Sequence, residues 1–226
     1  MKNSIKSFSK ARSRSSIKNK RLLSIADKTI IWSEENFKDF KFLFNDPAKL
    51  NLEIGFGDGI FLFDQALNNL DESFIGIEVF ESGLMNTYKK LKKSNLKNLK
   101  LINGDVIQIL SRNKSKNLFD LIIILFPDPW PKSKHKKRRL LKSDFFIVLQ
   151  SLLKKDGKII IKTDWQDYAE EIKETLNKLD YQHTHIYETS NLKELITKYE
   201  KIALKENRSI NKFLIPSIRL SSLKWT

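Results

Sequence analysis

The sequence predicts an α/β fold: a mostly parallel sheet of seven strands with helices on both faces. Three observations carry the prediction. Short apolar segments alternate with segments of helical period from residue 50 onward, the pattern of strands joined by crossover helices. One of them, residues 118–126, is apolar at nearly every position, as a central parallel strand covered on both faces must be. Glycines and carboxylates collect just after these segments, where open parallel sheets bind ligands.

Taken in order, residues 1–25 read as a flexible basic arm and residues 26–226 as one domain. The first twenty residues are rich in Lys, Ser, Arg and Asn and poor in apolar side chains, too little to support a fold of their own. Residues 50–54 form a short apolar strand. Residues 60–70 carry Ile60, Phe63, Leu67 and Leu70 at helical spacing. A second strand is expected at 74–79, a helix with a basic end at 82–93, a third strand at 99–103 and a short helix at 106–112. The fourth strand, 118–126, is followed by a helix at 144–154 and a fifth strand at 158–162. Trp165, Ala169, Ile172, Leu176 and Leu179 lie on one face of a strongly amphipathic helix over 165–179. Strands at 181–187 and 213–220 complete the sheet.

Composition narrows the chemistry. The chain has 226 residues with 42 Lys+Arg against 27 Asp+Glu, a net charge of +15. Without cysteine it has no disulfides, zinc ribbon or thiol nucleophile. Its longest apolar run, residues 121–126, is far too short for a membrane span. No apolar signal region stands near the start. A cytoplasmic protein with no membrane association is expected. The charge excess is local. Residues 1–21 hold eight basic residues and no acid, among them Arg12 and Arg14. Residues 132–142 hold seven and no acid: Lys132, Lys134, Lys136, Lys137, Arg138, Arg139 and Lys142. Two acid-free blocks point to a polyanionic partner, most simply nucleic acid.

The strand ends carry the candidate chemistry. After the first comes Glu53-Ile-Gly55-Phe-Gly57-Asp-Gly59. Glycine permits positive φ and close ligand approach, and the loop feeds a helix N-terminus. The spacing is G-x-G-x-G, not the dinucleotide fingerprint. Glu78 ends the second strand, 19 residues beyond Gly59, where nucleotide-binding folds place the acid for a ribose diol. Asp105 follows the third strand, placed to accept an adenine amino group or to cap the next helix. Together these residues favour an adenosine cofactor. S-adenosylmethionine suits them better than NAD, because Glu53 would repel a pyrophosphate and tolerate a sulfonium cation.

The fourth strand ends in Phe126-Pro-Asp128-Pro-Trp130-Pro. Two prolines stiffen the backbone around Asp128, and the segment runs directly into the basic strap. Asp164 follows the fifth strand, and Thr197-Lys198-Tyr199-Glu200 has the form of a capping box. His135, His183 and His185 form no metal-ligand pattern, and no metal is expected.

At these residues the chain resembles the bacterial tRNA (guanine-N7-)-methyltransferase family. The resemblance rests on Glu53-Ile-Gly-Phe-Gly57, Gly76-Ile-Glu78, Asp105, Phe126-Pro-Asp-Pro-Trp-Pro-Lys132, His135-Lys-Lys-Arg-Arg139, Thr163-Asp-Trp165 and Thr197-Lys-Tyr-Glu200. It spans roughly residues 8–200, whereas residues 208–226 match the family's closing segment only loosely. It implies a Rossmann-like class I methyltransferase fold. It further implies methyl transfer from S-adenosylmethionine to N7 of guanine in tRNA, at position 46 of the variable loop, with S-adenosylhomocysteine as product. Glu53, Gly55, Gly57, Glu78, Asp105 and Asp128 then line the cofactor side, with Asp128 the catalytic residue. Lys132, Asp164, Thr197, Lys198, Tyr199 and Glu200 contact the target nucleoside. Lys134, Lys136, Lys137, Arg138, Arg139, Arg12 and Arg14 would grip tRNA phosphates, with Trp130 as a stacking surface. No obligate protein partner is implied.

The chemistry agrees with this reading. Guanine N7 carries a lone pair and no proton, so no base is needed to start the attack, and positioning supplies much of the rate. A fixed carboxylate would stabilise the cation that develops, or accept from guanine N1–H; the sequence leaves both roles open. Three other readings fit less well. An adenine N6 amino-methyltransferase would carry Asp/Asn-Pro-Pro-aromatic where this chain has Pro-Asp-Pro-Trp. A non-catalytic RNA-binding protein on a methyltransferase scaffold would not need Glu53, Glu78 and Asp128 intact. An NAD-dependent oxidoreductase would need a different glycine spacing.

Overall fold

A computed structural model describes residue 23, residues 26–188 and residues 197–218. Among the described residues eight strands form a single sheet: β1 (Ile31–Ser33), β2 (Leu50–Ile54), β3 (Ser73–Glu78), β4 (Leu99–Asn103), β5 (Phe119–Leu125), β6 (Leu153–Thr163), β7 (Thr184–Glu188) and β8 (Ile210–Pro216), in the order β1-β4-β3-β2-β5-β6-β8-β7. The pairings from β1 through β6 are parallel. β8 lies antiparallel between β6 and β7. The helices are α1 (Ile60–Asn68), α2 (Glu81–Ser94), α3 (Val106–Arg112), α4 (Ser143–Leu152), α5 (Gln166–Lys178) and α6 (Lys198–Lys205).

Alternation along the strands builds two cores. On β3, Phe74 faces one side with Leu62, Ala66, Leu84 and Leu91 of α1 and α2. Ile75 and Ile77 face the other, with Phe145, Phe146 and Leu149 of α4 and Ile172 and Leu176 of α5. This is the period of two that a sheet covered on both faces requires. The expected mostly parallel α/β fold is present, with one strand more than the seven expected. The addition is β1, only three residues long and seated on the edge through Ile31–Leu101 pairing. Three residues are too few to show alternation.

Two further differences have physical causes. Helix α1 is present, but not on the face that its apolar spacing suggested. Leu62 and Ala66 are buried, while Ile60, Leu67 and Leu70 are exposed. The helix seats against Gly76, where a Cβ would fall 2.3 Å from a Leu62 methyl; close helix–strand approach, not side-chain bulk, chose the face. Strand β8 begins three residues before the expected 213–220 and ends at Pro216. Its register, Phe213 opposite Ile161 of β6, buries Phe213 and Ile215. Residues 219 and 220, like Arg12 and Arg14 of the arm, lie outside the described residues. Among the described residues no helix is long and apolar enough to cross a membrane.

Candidate active site at the carboxyl edge of the sheet

The parallel strands β2 to β6 all deliver their C-terminal ends to one edge, and the residues predicted at the strand ends lie along it. After β2, Gly55 (φ +75°) and Gly57 (φ +59°) take left-handed backbone, and a Cβ on either would meet nothing within 4 Å. Their side-chain space is open, so the loop forms a cradle. Glu78 closes it from β3. Its Oε2 accepts from the Gly57 N–H at 2.7 Å, and its Oε1 accepts from Val79 and Phe80 at 2.7 and 2.9 Å. Burial pushes the Glu78 carboxyl up against these three bonds, and Asp128 pushes it in the same direction.

Glu53 lies beneath the loop and is only 3% exposed. Its Oε2 is buried without a hydrogen-bond partner. Burial, then Glu78 and Asp58, push its carboxyl up to about 8. A buried carboxyl oxygen with no donor is costly, and a cationic ligand head in the cradle would relieve it. The fit to S-adenosylmethionine is therefore good on this chain's own residues: an open glycine cradle, an orphaned acid beside it and no room for further negative charge.

Asp105 follows β4 as the cap of α3, its Oδ1 accepting from Ile107 N–H at 2.8 Å. Its own N–H donates to Glu34 Oε2 at 3.0 Å. Glu34, which directly follows β1, was not foreseen; it stands 71 residues away, and no local pattern marks it.

Asp128 is exposed at the end of β5. The backbone on either side is in left-handed conformation at non-glycine residues, Phe126 (φ +50°) and Trp130 (φ +43°). Such outliers cost on the order of 1–3 kcal/mol each and cluster at functional sites. Trp130 departs from the expected stacking surface. It is buried, with His135 edge-on at 5.9 Å and the Arg138 guanidinium 4.8 Å from its ring, so it supports the strap from below.

The strap itself folds as a 3-10 segment over Ser133–Arg138, with Lys132 at its N-cap. Lys132, Lys134 and Lys137 are exposed. Lys136 pairs with Asp167 at 2.7 Å. Arg139 corrects the expectation of a phosphate contact: its side chain is fully buried between Asp167 at 2.6 Å and Glu171 at 2.5 Å.

From β6, Asp164 pairs with Arg208 at 3.1 Å, a partner the loose C-terminal pattern did not suggest. The capping box is present in full. Thr197 Oγ1 accepts from Glu200 N–H at 3.1 Å, and Glu200 Oε2 accepts from Thr197 N–H at 2.9 Å. Glu200 Oε1 also accepts from Lys162 Nζ at 2.8 Å. Lys198 opens α6 on its exposed side. Tyr199 stacks on Phe126 with ring centres 6.1 Å apart. Burial, then Asp128, Glu78 and Asp58, push the Tyr199 hydroxyl up. The Thr197–Glu200 turn therefore sits beside the Asp128 strand end. Among the described residues no group of three or more metal-ligating side chains occurs.

Comparison with known proteins agrees with this architecture. Residues 47–213 match a family model described as putative methyltransferase. A tRNA (guanine-N(7)-)-methyltransferase of Nitrosococcus oceani is 42% identical over 136 residues, 60% of this chain and 58% of that protein. One from Buchnera aphidicola subsp. Baizongia pistaciae is 36% identical over 173 residues, 75% of this chain and 72% of that protein. A solved antibiotic-related methyltransferase, 19% identical, superposes with a TM-score of 0.52 over 90% of this chain and 96% of its own, which supports the fold. The chain matches only part of the length of several relatives, just over half of the Nitrosococcus protein. By its family-model match and by the identity and coverage of these relatives, the chain belongs to the tRNA (guanine-N7-)-methyltransferase family.

Proposed function

We propose that the protein transfers a methyl group from S-adenosylmethionine to N7 of a guanine in tRNA, at position 46 of the variable loop. The observation that carries this reading is the placement of Asp128. It stands exposed between two strained residues, at the strand end that separates the glycine cradle from the basic strap. Bound S-adenosylmethionine supplies an electrophilic methyl group. Glu53 and the Gly55–Gly57 loop hold the cationic amino-acid end, Glu78 the ribose, and Asp105 the adenine amino group.

Asp128 faces the target base and stabilises the positive charge that grows on guanine. No residue is required to remove a proton from N7. Lys132, Asp164 and the Thr197–Glu200 turn orient the nucleoside, with the Lys162–Glu200 pair fixing the turn to β6. The exposed lysines of the strap engage phosphates, and extrusion of the base from the tRNA core costs a few kcal/mol. A tRNA substrate accords with the cytoplasm.

The test is methyl transfer from labelled S-adenosylmethionine to unmodified tRNA transcripts, followed by digestion to nucleosides. Label in 7-methylguanosine, lost when the variable-loop guanine is replaced, is the expected result. Label in N6-methyladenosine would establish the amino-methyltransferase alternative instead.

A further inference from the structure

Arg139 ends the Lys136-Lys137-Arg138-Arg139 stretch of the strap, yet nothing of its side chain reaches solvent. Each of its three nitrogens donates a hydrogen bond. Nε donates to the Pro129 carbonyl at 2.8 Å, Nη2 to Asp167 Oδ2 at 2.6 Å and Nη1 to Glu171 Oε2 at 2.5 Å. The guanidinium carbon lies 4.7 Å from the centre of the Tyr168 ring, and the Tyr168 hydroxyl in turn accepts from the Leu141 N–H at 3.1 Å. Asp167, Tyr168 and Glu171 belong to the first turns of α5, which begins two residues after Asp164. One side chain thus joins the Asp128 loop to the helix that follows Asp164.

The loop needs such a hold. Phe126 and Trp130 both carry left-handed backbone, which persists only where surrounding contacts over-determine it. Pro129 is the residue next to Asp128, and its carbonyl is the loop group that Arg139 grips. We propose that Arg139 is a positioning residue for Asp128: the guanidinium fork ties the Pro129 carbonyl to α5 and so fixes the carboxylate against the reacting base. The geometry requires arginine. Three acceptors lie around one planar group, which the fork of arginine satisfies and the point charge of lysine does not. A displacement of about 1 Å at the reacting centre can cost on the order of 10²-fold in rate.

The kinetic test rests on the methyl-transfer reading; a second readout does not. Wild type, Arg139→Lys and Glu171→Gln are compared for kcat, KM for tRNA and the salt dependence of tRNA binding. Hydrogen exchange at the Asp128 and Trp130 amides is followed in the same proteins. In Arg139→Lys, kcat falls about tenfold or more while KM and the salt slope stay within about twofold. Exchange at both amides accelerates, and that of β5 is unchanged. Glu171→Gln moves in the same direction by less. A phosphate contact would behave otherwise, since lysine keeps the charge: wild-type kcat in Arg139→Lys, or a raised KM with kcat unchanged, overturns the proposal. If Arg139→Lys does not fold, Glu171→Gln decides, and wild-type kcat with wild-type exchange there overturns it. A wild-type protein that methylates no tRNA would remove the proposed function, and the exchange rates alone would then judge whether Arg139 holds the loop.

Discussion

Lys162 Nζ lies 2.8 Å from Glu200 Oε1, and both side chains are close to fully buried, 12% and 9% exposed. The pair fastens the end of β6 to the first turn of α6. Removing one partner leaves a buried charge uncompensated, at a cost of about 3–5 kcal/mol. Glu200→Gln keeps a side chain able to complete the capping box but abandons the lysine; Lys162→Met leaves the capping box whole and abandons the glutamate. Each is expected to lower the urea midpoint, and the double variant to recover a large share of either loss. Losses that simply add would show that the pair does not couple.

Glu53 makes the stability of the ligand-free protein fall as pH rises. Its folded-state pKa is raised from 4.5 to about 8, first by burial and then by Glu78 and Asp58. The contribution of the protonated carboxyl is therefore full below about 4.5 and is lost as pH climbs through about 8. At about 1.4 kcal/mol per unit, the loss is at most ~5 kcal/mol. Glu78 is raised as well, again first by burial, and adds to the same trend. Glu53→Gln should flatten most of the fall in thermal stability between pH 5 and 9 and stabilise the ligand-free protein at the alkaline end. Addition of S-adenosylmethionine near pH 7 should release about one proton from wild type, read by calorimetry in buffers of differing ionisation heat. The same pH dependence in Glu53→Gln would place the titration elsewhere.

Asp128→Asn keeps the shape of the side chain and removes its charge. Loss of one preorganised electrostatic group costs about 10²–10³ in turnover. That loss is expected here, with affinity for S-adenosylmethionine within about threefold of wild type, because Glu53, Glu78 and Asp105 are untouched. Turnover within tenfold of wild type would limit Asp128 to orienting the base through a hydrogen bond that asparagine also makes.

The sequence discloses the sheet because its signals are local: the apolar run of β5 and the glycines after β2 each announce an element without reference to the rest of the chain. Strand ends then place Glu53, Glu78, Asp105, Asp128 and Asp164 on one edge by topology alone. What stayed hidden depends on partners distant in sequence. Arg139 reads as one more strap cation because its carboxylates are 28 and 32 residues away. Trp130 reads as an exposed plate because nothing nearby in sequence shows its left-handed backbone or its burial. The face of α1 is not legible locally because Gly76, against which Leu62 packs, lies on another strand.

The strap divides into residues free to reach a polyanion and residues already committed to the fold. Lys134 and Lys137 are exposed. Lys136 shares Asp167 with the buried Arg139, so moving it onto a phosphate would sacrifice an ion pair, though an exposed one worth little. Each lysine that neutralises a phosphate contributes about 0.7–0.9 to the slope of log K against log salt. Lys134→Ala with Lys137→Ala is therefore expected to reduce the slope of tRNA binding by about 1.5, and Lys136→Ala by distinctly less than one phosphate. Fluorescence titration between 50 and 200 mM salt (~10-fold affinity loss per unit of slope over a decade of salt) separates these values. A drop of about 0.7–0.9 for Lys136→Ala, the full value of one phosphate, would mean that the Asp167 contact opens when tRNA binds.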